Sequence, residues 1–323
     1  MDKLKNIISL FSGAGGMDLG FQQAGFKIIW ANEHDKNVYP TYLKNFKHSR
    51  NHLDTRSITD IPNQSIPRDI TGLIGGPPCQ SWSQAGSRKG ISDKRGQLIN
   101  DYIRVVKHSQ PHFFVMENVA GLVNKKNRLV YESVLAELES LGYLISDELL
   151  NAADYGVPQD RRRIFIVGYS KKYFGSKFSF PIKETNKVSL ECIRYLENYS
   201  IGSDELQNHD VDGSGFSYIY MSRNRVREWN QQSYTILASQ RHIPIHPNFP
   251  KMVKVEKDIM RFVDGYDYRR LSVRECAEIQ TFPKDFTFIY DKTVHGYKMV
   301  GNAVPVKLAY TIAKKIKHDI KCN

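Results

Sequence analysis

Cysteine is scarce in this chain, and long apolar runs are missing. The four cysteines in 323 residues, Cys79, Cys192, Cys276 and Cys322, stand far apart without the paired spacing of metal ligands. That excludes a disulfide scaffold and a zinc site, so no metal is expected. No apolar stretch approaches the roughly eighteen residues of a membrane span, so no membrane partner is expected either. Met1-Asp2-Lys3-Leu4-Lys5 leads directly into a strand-like run, so no signal peptide is expected before the fold. Internal repeats and low-complexity tracts are absent. What is present is 41% apolar and 11% aromatic residues, too many for a disordered chain. The length suits one large or two ordinary domains.

Acidic residues are outnumbered, 34 against 46 Lys and Arg, for a formal charge of +12. An excess of that size suits a polyanionic partner but is weak evidence alone. Its distribution says more: residues 215–255 carry a net +5 and the last 55 residues a net +6.

Residues 1–170 alternate short apolar runs with helical patterns, as a βαβ array around a mostly parallel sheet would. Strands are expected at 6–11, 27–32, 70–75, 113–117 and 164–169. A helix is expected over 128–141, with Leu129, Tyr131, Val134, Leu135, Leu138 and Leu141 at helical spacing and Gly142 as its cap. Residues 171–268 are richer in Asn, Ser, Asp and Pro and less periodic, which suggests a second, irregular domain. Order returns at 272–279 and in a last helix over 305–318.

The first strand is followed by Ser12-Gly13-Ala14-Gly15-Gly16-Met17-Asp18. Glycines at a strand-to-helix turn let backbone N–H groups approach a ligand at a helix N-terminus. Glu33 closes the next strand, where a carboxylate can bind ribose hydroxyls. Asp18 stands where the dinucleotide fingerprint needs its third glycine, so the turn favours a nucleoside without demanding a pyrophosphate. A tight turn with no ligand is the plain alternative.

A more specific signal is Gly75-Gly76-Pro77-Pro78-Cys79-Gln80 at the end of the 70–75 strand. Two prolines fix the backbone and hold Cys79 at a strand's carboxyl end, where a thiol can act as nucleophile. A small buried hydrophobe, the commoner role, suits Cys192, Cys276 and Cys322. Residues 80–97, with three Gly, four Ser and four Lys or Arg, read as a mobile basic lid.

Phe11-Ser-Gly-Ala-Gly-Gly together with Gly-Pro-Pro-Cys79-Gln resembles the DNA (cytosine-5) methyltransferases that use S-adenosylmethionine. Further family blocks follow in order: Glu117-Asn118-Val119, Gln159-Asp160-Arg161-Arg162-Arg163, Arg270-Leu271-Ser272-Val273-Arg274-Glu275 and Gly301-Asn302-Ala303-Val304-Pro305. The resemblance spans residues 7 to 306. Met221-Ser-Arg-Asn-Arg-Val-Arg227 is also similar to the variable region of HaeIII-type modification enzymes.

The resemblance implies an α/β fold: a Rossmann-like methyltransferase sheet with a smaller, irregular target-recognition domain. It divides the chain into a catalytic and cofactor-binding part (1–181), the recognition domain (182–287) and a returning C-terminal segment (288–323). It implies a cytoplasmic, bacterial or phage-encoded modification enzyme of a type II restriction-modification system. That enzyme would act as a monomer on double-stranded DNA, with S-adenosylmethionine as cofactor. Cys79 would add to cytosine C6, Glu117 would meet the charge at N3, Asn118 would orient Glu117, and Arg163 would hold O2. Arg161 belongs with the catalytic group, and Arg162 reads as structural. Without the resemblance, Glu117 would read as a helix cap and Arg161–Arg163 as a solvated charge run.

For the cofactor, the implied residues are Phe11, Gly13, Gly15, Gly16, Glu33, His34, Pro78 and Asn302. The adenine contact falls at Ser57, with Asp54 and Asp60 as alternatives on either side. For DNA, Ser81 in the lid is a candidate, since the base must leave the stack. Arg225, Arg227 and Arg241 are expected at base edges, beside Tyr218, Tyr220 and Trp229, while Arg223 stays undecided between base and phosphate. Similarity to the HaeIII type implies GGCC with the inner cytosine methylated, and arginine forks suit a guanine-rich site. An RNA substrate is disfavoured by the reader-like variable region. A silent DNA-binding regulator has no use for Cys79, Glu117 and Arg163, and a dinucleotide oxidoreductase fails on Asp18.

Overall fold

The computed structural model describes residues 5–46, 52–78 and 97–322. Strand and helix alternate through β1 (Asn6–Leu10), α1 (Gly16–Gln23), β2 (Lys27–Asn32), α2 (Tyr39–Asn45), β3 (Leu53–Asp54), β4 (Gly72–Gly75), α3 (Gln97–Ser109), β5 (Phe113–Val119), α4 (Arg128–Ser140), β6 (Tyr143–Asn151) and β7 (Arg162–Ser170). These seven strands form one sheet in the order β3-β2-β1-β4-β5-β7-β6. Strands β1 to β5 are parallel, and β7 runs antiparallel to both β5 and β6.

Central strands are apolar on both faces because helices cover both. Successive residues point to opposite sides, so Ile7, Phe113 and Val115 pack with α1 and α7 (Val306–Cys322), and Ile8, Phe114 and Met116 pack with α3 and α4. Each of the five expected strands is present with ends shifted by up to two residues. Strand β6 was not expected: its Ser146-Asp147-Glu148 centre is polar because it lies at the sheet's edge and faces outward. Strand β3 has two residues, too few to leave a pattern. In α4 the inward stripe is Tyr131, Val134 and Leu138, whereas Leu129 is 83% exposed, because position 129 falls outside that face.

Beyond β7, residues 171–268 hold short 3₁₀ turns and one hairpin, β8 (Val253–Glu256) with β9 (Ile259–Arg261). Helices α5 (Val273–Ile279) and α6 (Thr293–Asn302) then pack with α2 through Tyr42, Phe46, Cys276, Tyr297 and Val300. Ser272 and Glu275 close a reciprocal capping box at the start of α5. Of the three cysteines expected in the core, only Cys276 is buried; Cys192 and Cys322 are exposed. Cys192 lies on the outer side of a 3₁₀ turn between buried Leu190 and Ile193, and Cys322 ends α7.

This topology positions the site. β1 and β4 are neighbours in the sheet, yet the chain visits β2 and β3 between them. Their carboxyl ends therefore diverge to opposite sides and leave a crevice at the switch point, where ligands bind in open α/β sheets. The glycine turn after β1 and the Gly76-Pro77-Pro78 segment after β4 both emerge there.

Candidate active site

The three glycines of the first turn serve different ends. A Cβ on Gly15 would sit 2.2 Å from Phe46 Cε2, and one on Gly16 would sit 2.3 Å from the Val304 carbonyl oxygen. Both are required by packing. Gly13 has φ +54° and nothing within 4 Å of its missing Cβ, so the turn is open on that side. Phe11 also sits in the left-handed region, at φ 53°.

Glu33, at the carboxyl end of β2, faces this opening. Its Oε2 accepts the Gly13 N–H at 2.8 Å and its Oε1 accepts the Asp35 N–H at 2.7 Å. Burial pushes its proton affinity above the usual carboxylate range against those two donors. Each oxygen keeps a lone pair for a further donor. An open glycine turn beside a half-buried acceptor at the next strand's end fits an adenosyl ribose, so the residues present suit the expected cofactor.

The other residues expected around the cofactor are less fixed. His34 and Pro78 are exposed, and so is Asn302 at the last turn of α6. Ser57 is half-buried and its hydroxyl lies 2.8 Å from Thr59 Oγ1. Asp54 is engaged by Arg56 through Nε at 3.0 Å and Nη2 at 2.6 Å, while Asp60 is exposed.

Asp18, read from the sequence only as a departure from a fingerprint, supports the turn. Its carboxyl is buried and accepts the Ser9 hydroxyl and the Tyr42 hydroxyl, each at 2.6 Å. Tyr42 stacks on Phe46, the ring against Gly15. Burial lifts the Asp18 pKa to about 6. An acid between the apolar residues Met17 and Leu19 in the first turn of α1 was the available signal.

At the end of β5, Glu117 and Arg163 form a buried ion pair, with Arg163 Nε 3.1 Å from Glu117 Oε1 and side chains 13% and 11% exposed. The antiparallel β5–β7 register brings them together. Burial raises the proton affinity of Glu117, and the nearby Arg163 and Arg161 charges only partly offset it. Gly76 lies beside the pair, since a Cβ there would be 3.2 Å from Glu117 Oε2. Asn118 donates from Nδ2 to the Pro77 carbonyl at 3.0 Å and accepts the Val119 N–H at 2.9 Å. Its side chain thus fastens the Pro-Pro segment to β5, rather than contacting Glu117. Cys79, Ser81 and the lid expected over 80–97 lie outside the described residues up to 96.

Arg161, expected in the catalytic group, has its guanidinium held by backbone carbonyls. Nη1 donates to the Ile236 carbonyl at 3.0 Å, and Nη2 donates to the Gly301 and Ala303 carbonyls at 2.9 and 3.1 Å. Burial, followed by the Arg163 charge, lowers its pKa to about 9. Arg162 is exposed.

Among the expected DNA readers, Arg225 donates to the Tyr220 and Ile219 carbonyls at 2.7 and 3.1 Å, over the Tyr220 ring. Arg227 lies over Tyr234 and pairs with Asp160 at 3.3 Å. Arg223 and Arg241 are exposed, with no hydrogen bond or ion pair from their guanidinium groups among the described residues. Tyr220 is core, its hydroxyl on the Ile243 carbonyl at 2.6 Å, whereas Tyr218 is 76% exposed. Trp229 donates to Asn248 at 2.9 Å. No cluster of metal-ligating side chains and no helix long and apolar enough to cross a membrane occurs among the described residues.

Residues 5–318 match the family of C-5 cytosine-specific DNA methylases. The chain is 47% identical to Type II methyltransferase M.FnuDI of Fusobacterium nucleatum, over 97% of this chain and 94% of that protein. It is 44% identical to Type II methyltransferase M.NgoPII of Neisseria gonorrhoeae, over 98% and 96%. Its fold is similar to the solved Entamoeba histolytica methyltransferase EhMeth, with a TM-score of 0.73 at 19% identity over 97% and 98% of the two chains. With the glycine turn, Glu33 and the Glu117–Arg163 pair arranged at the carboxyl ends of the parallel strands, the chain belongs to the C-5 cytosine-specific DNA methylases.

Proposed function

We propose that this methyltransferase modifies GGCC in double-stranded DNA at the inner cytosine, in the cytoplasm, through a covalent Cys79 adduct on a flipped-out base. The observation that carries the reading is the buried Glu117–Arg163 pair beside the Gly76-Pro77 segment that leads to Cys79.

Cytosine C5 is a poor nucleophile until the ring's aromaticity is broken. Addition of the Cys79 thiolate to C6 pushes charge toward N3 and makes C5 enamine-like. Glu117 supplies a proton at N3, and burial raising its proton affinity above the usual carboxylate range suits that role. Arg163, held on Glu117, offers its remaining donors to O2. Asn118 keeps the Pro77 backbone, two residues before Cys79 in the chain, fixed to the strand bearing Glu117. When bound, S-adenosylmethionine would supply the methyl group from its sulfonium and leave as the neutral thioether S-adenosylhomocysteine. Phe11, Gly13, Glu33, His34, Pro78 and Asn302 would hold the cofactor, with Gly15 and Gly16 setting the turn and Ser57 toward the adenine. Loss of the C5 proton to water, release of the Cys79 thiolate from C6 and return of the N3 proton to Glu117 restore the C5–C6 double bond and complete the reaction.

Because the reacting atoms lie inside the stack, the base must be extruded, with Ser81 entering the space it leaves. Residues 182–287 carry the reader, between the 1–181 catalytic part and the 288–323 return. Arg241, unpartnered among the described residues, offers its fork to a guanine edge; Arg225 and Arg227 present their remaining donors from stacked, braced positions.

Labelled S-adenosylmethionine incubated with a GGCC duplex, a scrambled duplex and a transfer RNA tests this reading. Label in the GGCC duplex alone is expected. Label in the RNA alone contradicts the substrate, and equal label in the scrambled duplex contradicts the site.

A further inference from the structure

Segment 233–236 of the reader lies directly against 158–161, the stretch that enters β7. Ser233 N–H donates to the Pro158 carbonyl and Asp160 N–H to the Ser233 carbonyl, both at 2.9 Å. Ile236 N–H donates to Gln159 Oε1 at 3.0 Å, and Thr235 Oγ1 donates to the Asp160 carbonyl at 2.5 Å. The end of α6 closes the other side. A Cβ on Gly301 would lie 2.3 Å from the Leu237 carbonyl carbon, and Gln280, itself bonded by Gln159 at 3.0 Å, donates to the Val300 and Ala303 carbonyls at 2.9 and 3.2 Å.

Arg161 sits at the centre. It binds the Ile236 carbonyl on the reader and the Gly301 and Ala303 carbonyls around Asn302, and its charge acts on both Glu117 and Arg163. Its guanidinium is buried, and Nε has no partner among the described residues. A buried cation held by carbonyls of two separate segments keeps its place only while both stay in register, because losing either leaves charge uncompensated. The reader chain continues from Ile236 within five residues to Arg241, whose guanidinium has no partner among the described residues. Docking that segment on DNA therefore acts on a carbonyl that Arg161 holds.

We propose that Arg161 is a positioning residue that makes methyl transfer conditional on correct docking of the 233–241 segment, by keeping that segment, the Asn302 end of α6 and the Glu117–Arg163 pair in one register. This deepens the reading that 182–287 recognises the DNA site, and it rests on that reading.

The test compares wild type with Arg161→Lys and Thr235→Val on the preferred duplex and on duplexes changed at one base pair away from the target cytosine. Lysine keeps the charge but, as a single ammonium, does not reproduce the planar fork across three carbonyls. Arg161→Lys is expected to lower kcat on the preferred duplex about tenfold, with KM for the cofactor within about twofold of wild type. Its kcat/KM preference for that duplex is expected to fall by about tenfold as well. Thr235→Val cuts one bond between the same segments and is expected to lower the preference by about threefold. A folded Arg161→Lys whose kcat falls equally on all duplexes, with preference intact, overturns the proposal. If Arg161→Lys does not fold, an unchanged preference in Thr235→Val overturns it. A wild-type enzyme with no preferred duplex contradicts the underlying reading instead, a result distinct from either.

Discussion

Replacing Gly13 and Gly15 separately with alanine distinguishes a glycine kept for a ligand from one kept for packing. Gly15 has φ +87°, and an added Cβ meets Phe46 Cε2 at 2.2 Å and Cζ at 2.5 Å. Phe46 has little room to yield, since it stacks on Tyr42 with centroids 4.4 Å apart. The left-handed backbone costs a side chain about 1–2 kcal/mol, and overpacking a close-packed site costs about 1–3 kcal/mol more. Gly15→Ala should therefore lose about 2–5 kcal/mol of stability. Gly13 has φ +54° but open space at its Cβ, so Gly13→Ala should lose only the backbone contribution of about 1–2 kcal/mol. Its methyl enters the opening beside Glu33, so affinity for S-adenosylhomocysteine should fall by about tenfold or more, equivalent to about 1.4 kcal/mol. Urea unfolding and equilibrium binding measure the two effects. The reasoning is refuted if Gly13→Ala binds the nucleoside normally while losing as much stability as Gly15→Ala.

Three other outcomes follow from the site. Glu117 has a raised proton affinity, so its protonated form persists above the usual carboxylate range and is lost as pH rises through that raised value; kcat should fall there, and Glu117→Gln should lower kcat by about a hundredfold or more and abolish that limb of the profile. Asp18 shifts from 3.8 to about 6 on folding, which leaves its stability contribution intact below pH 4 and erodes it as pH rises through 6. Stability of Asp18→Asn relative to wild type should therefore rise by on the order of 3 kcal/mol between pH 4 and 7, and a pH-independent difference in urea unfolding contradicts this. Arg241→Ala should cost about 1–3 kcal/mol in binding and relax one position of the site, whereas a merely phosphate-bound Arg241 would weaken all duplexes alike and reduce the salt slope by about one.

Much of the fold was legible because parallel strands covered on both faces are simply apolar, as in Ile7-Ile8 and Phe113-Phe114-Val115-Met116. Strand β6 was not, because an edge strand with Ser-Asp-Glu at its centre has no such pattern. The turn glycines were visible in sequence, but the reasons for two of them, Phe46 and the Val304 carbonyl, arrive from other parts of the chain. Glu117 and Arg163 were chosen from their sequence blocks, and only the antiparallel β5–β7 register shows how they meet. Arginine type alone does not reveal how each guanidinium is used: Arg161 is spent on three carbonyls and Arg225 on two, while Arg241 has no partner among the described residues. Tyr220, visible in the sequence as an aromatic beside these arginines, is a buried core residue of the 171–268 region.

The most direct test of covalent catalysis at cytosine C6 uses a GGCC duplex with 5-fluorocytosine at the inner position. Fluorine cannot leave C5 as the proton does, so an adduct that has been methylated cannot collapse. With S-adenosylmethionine present, wild type should form a denaturant-stable complex whose peptide map places the base on Cys79, and Cys79→Ser should bind the duplex but form none. Full turnover in Cys79→Ser, or a wild-type adduct at any other residue, would contradict the account.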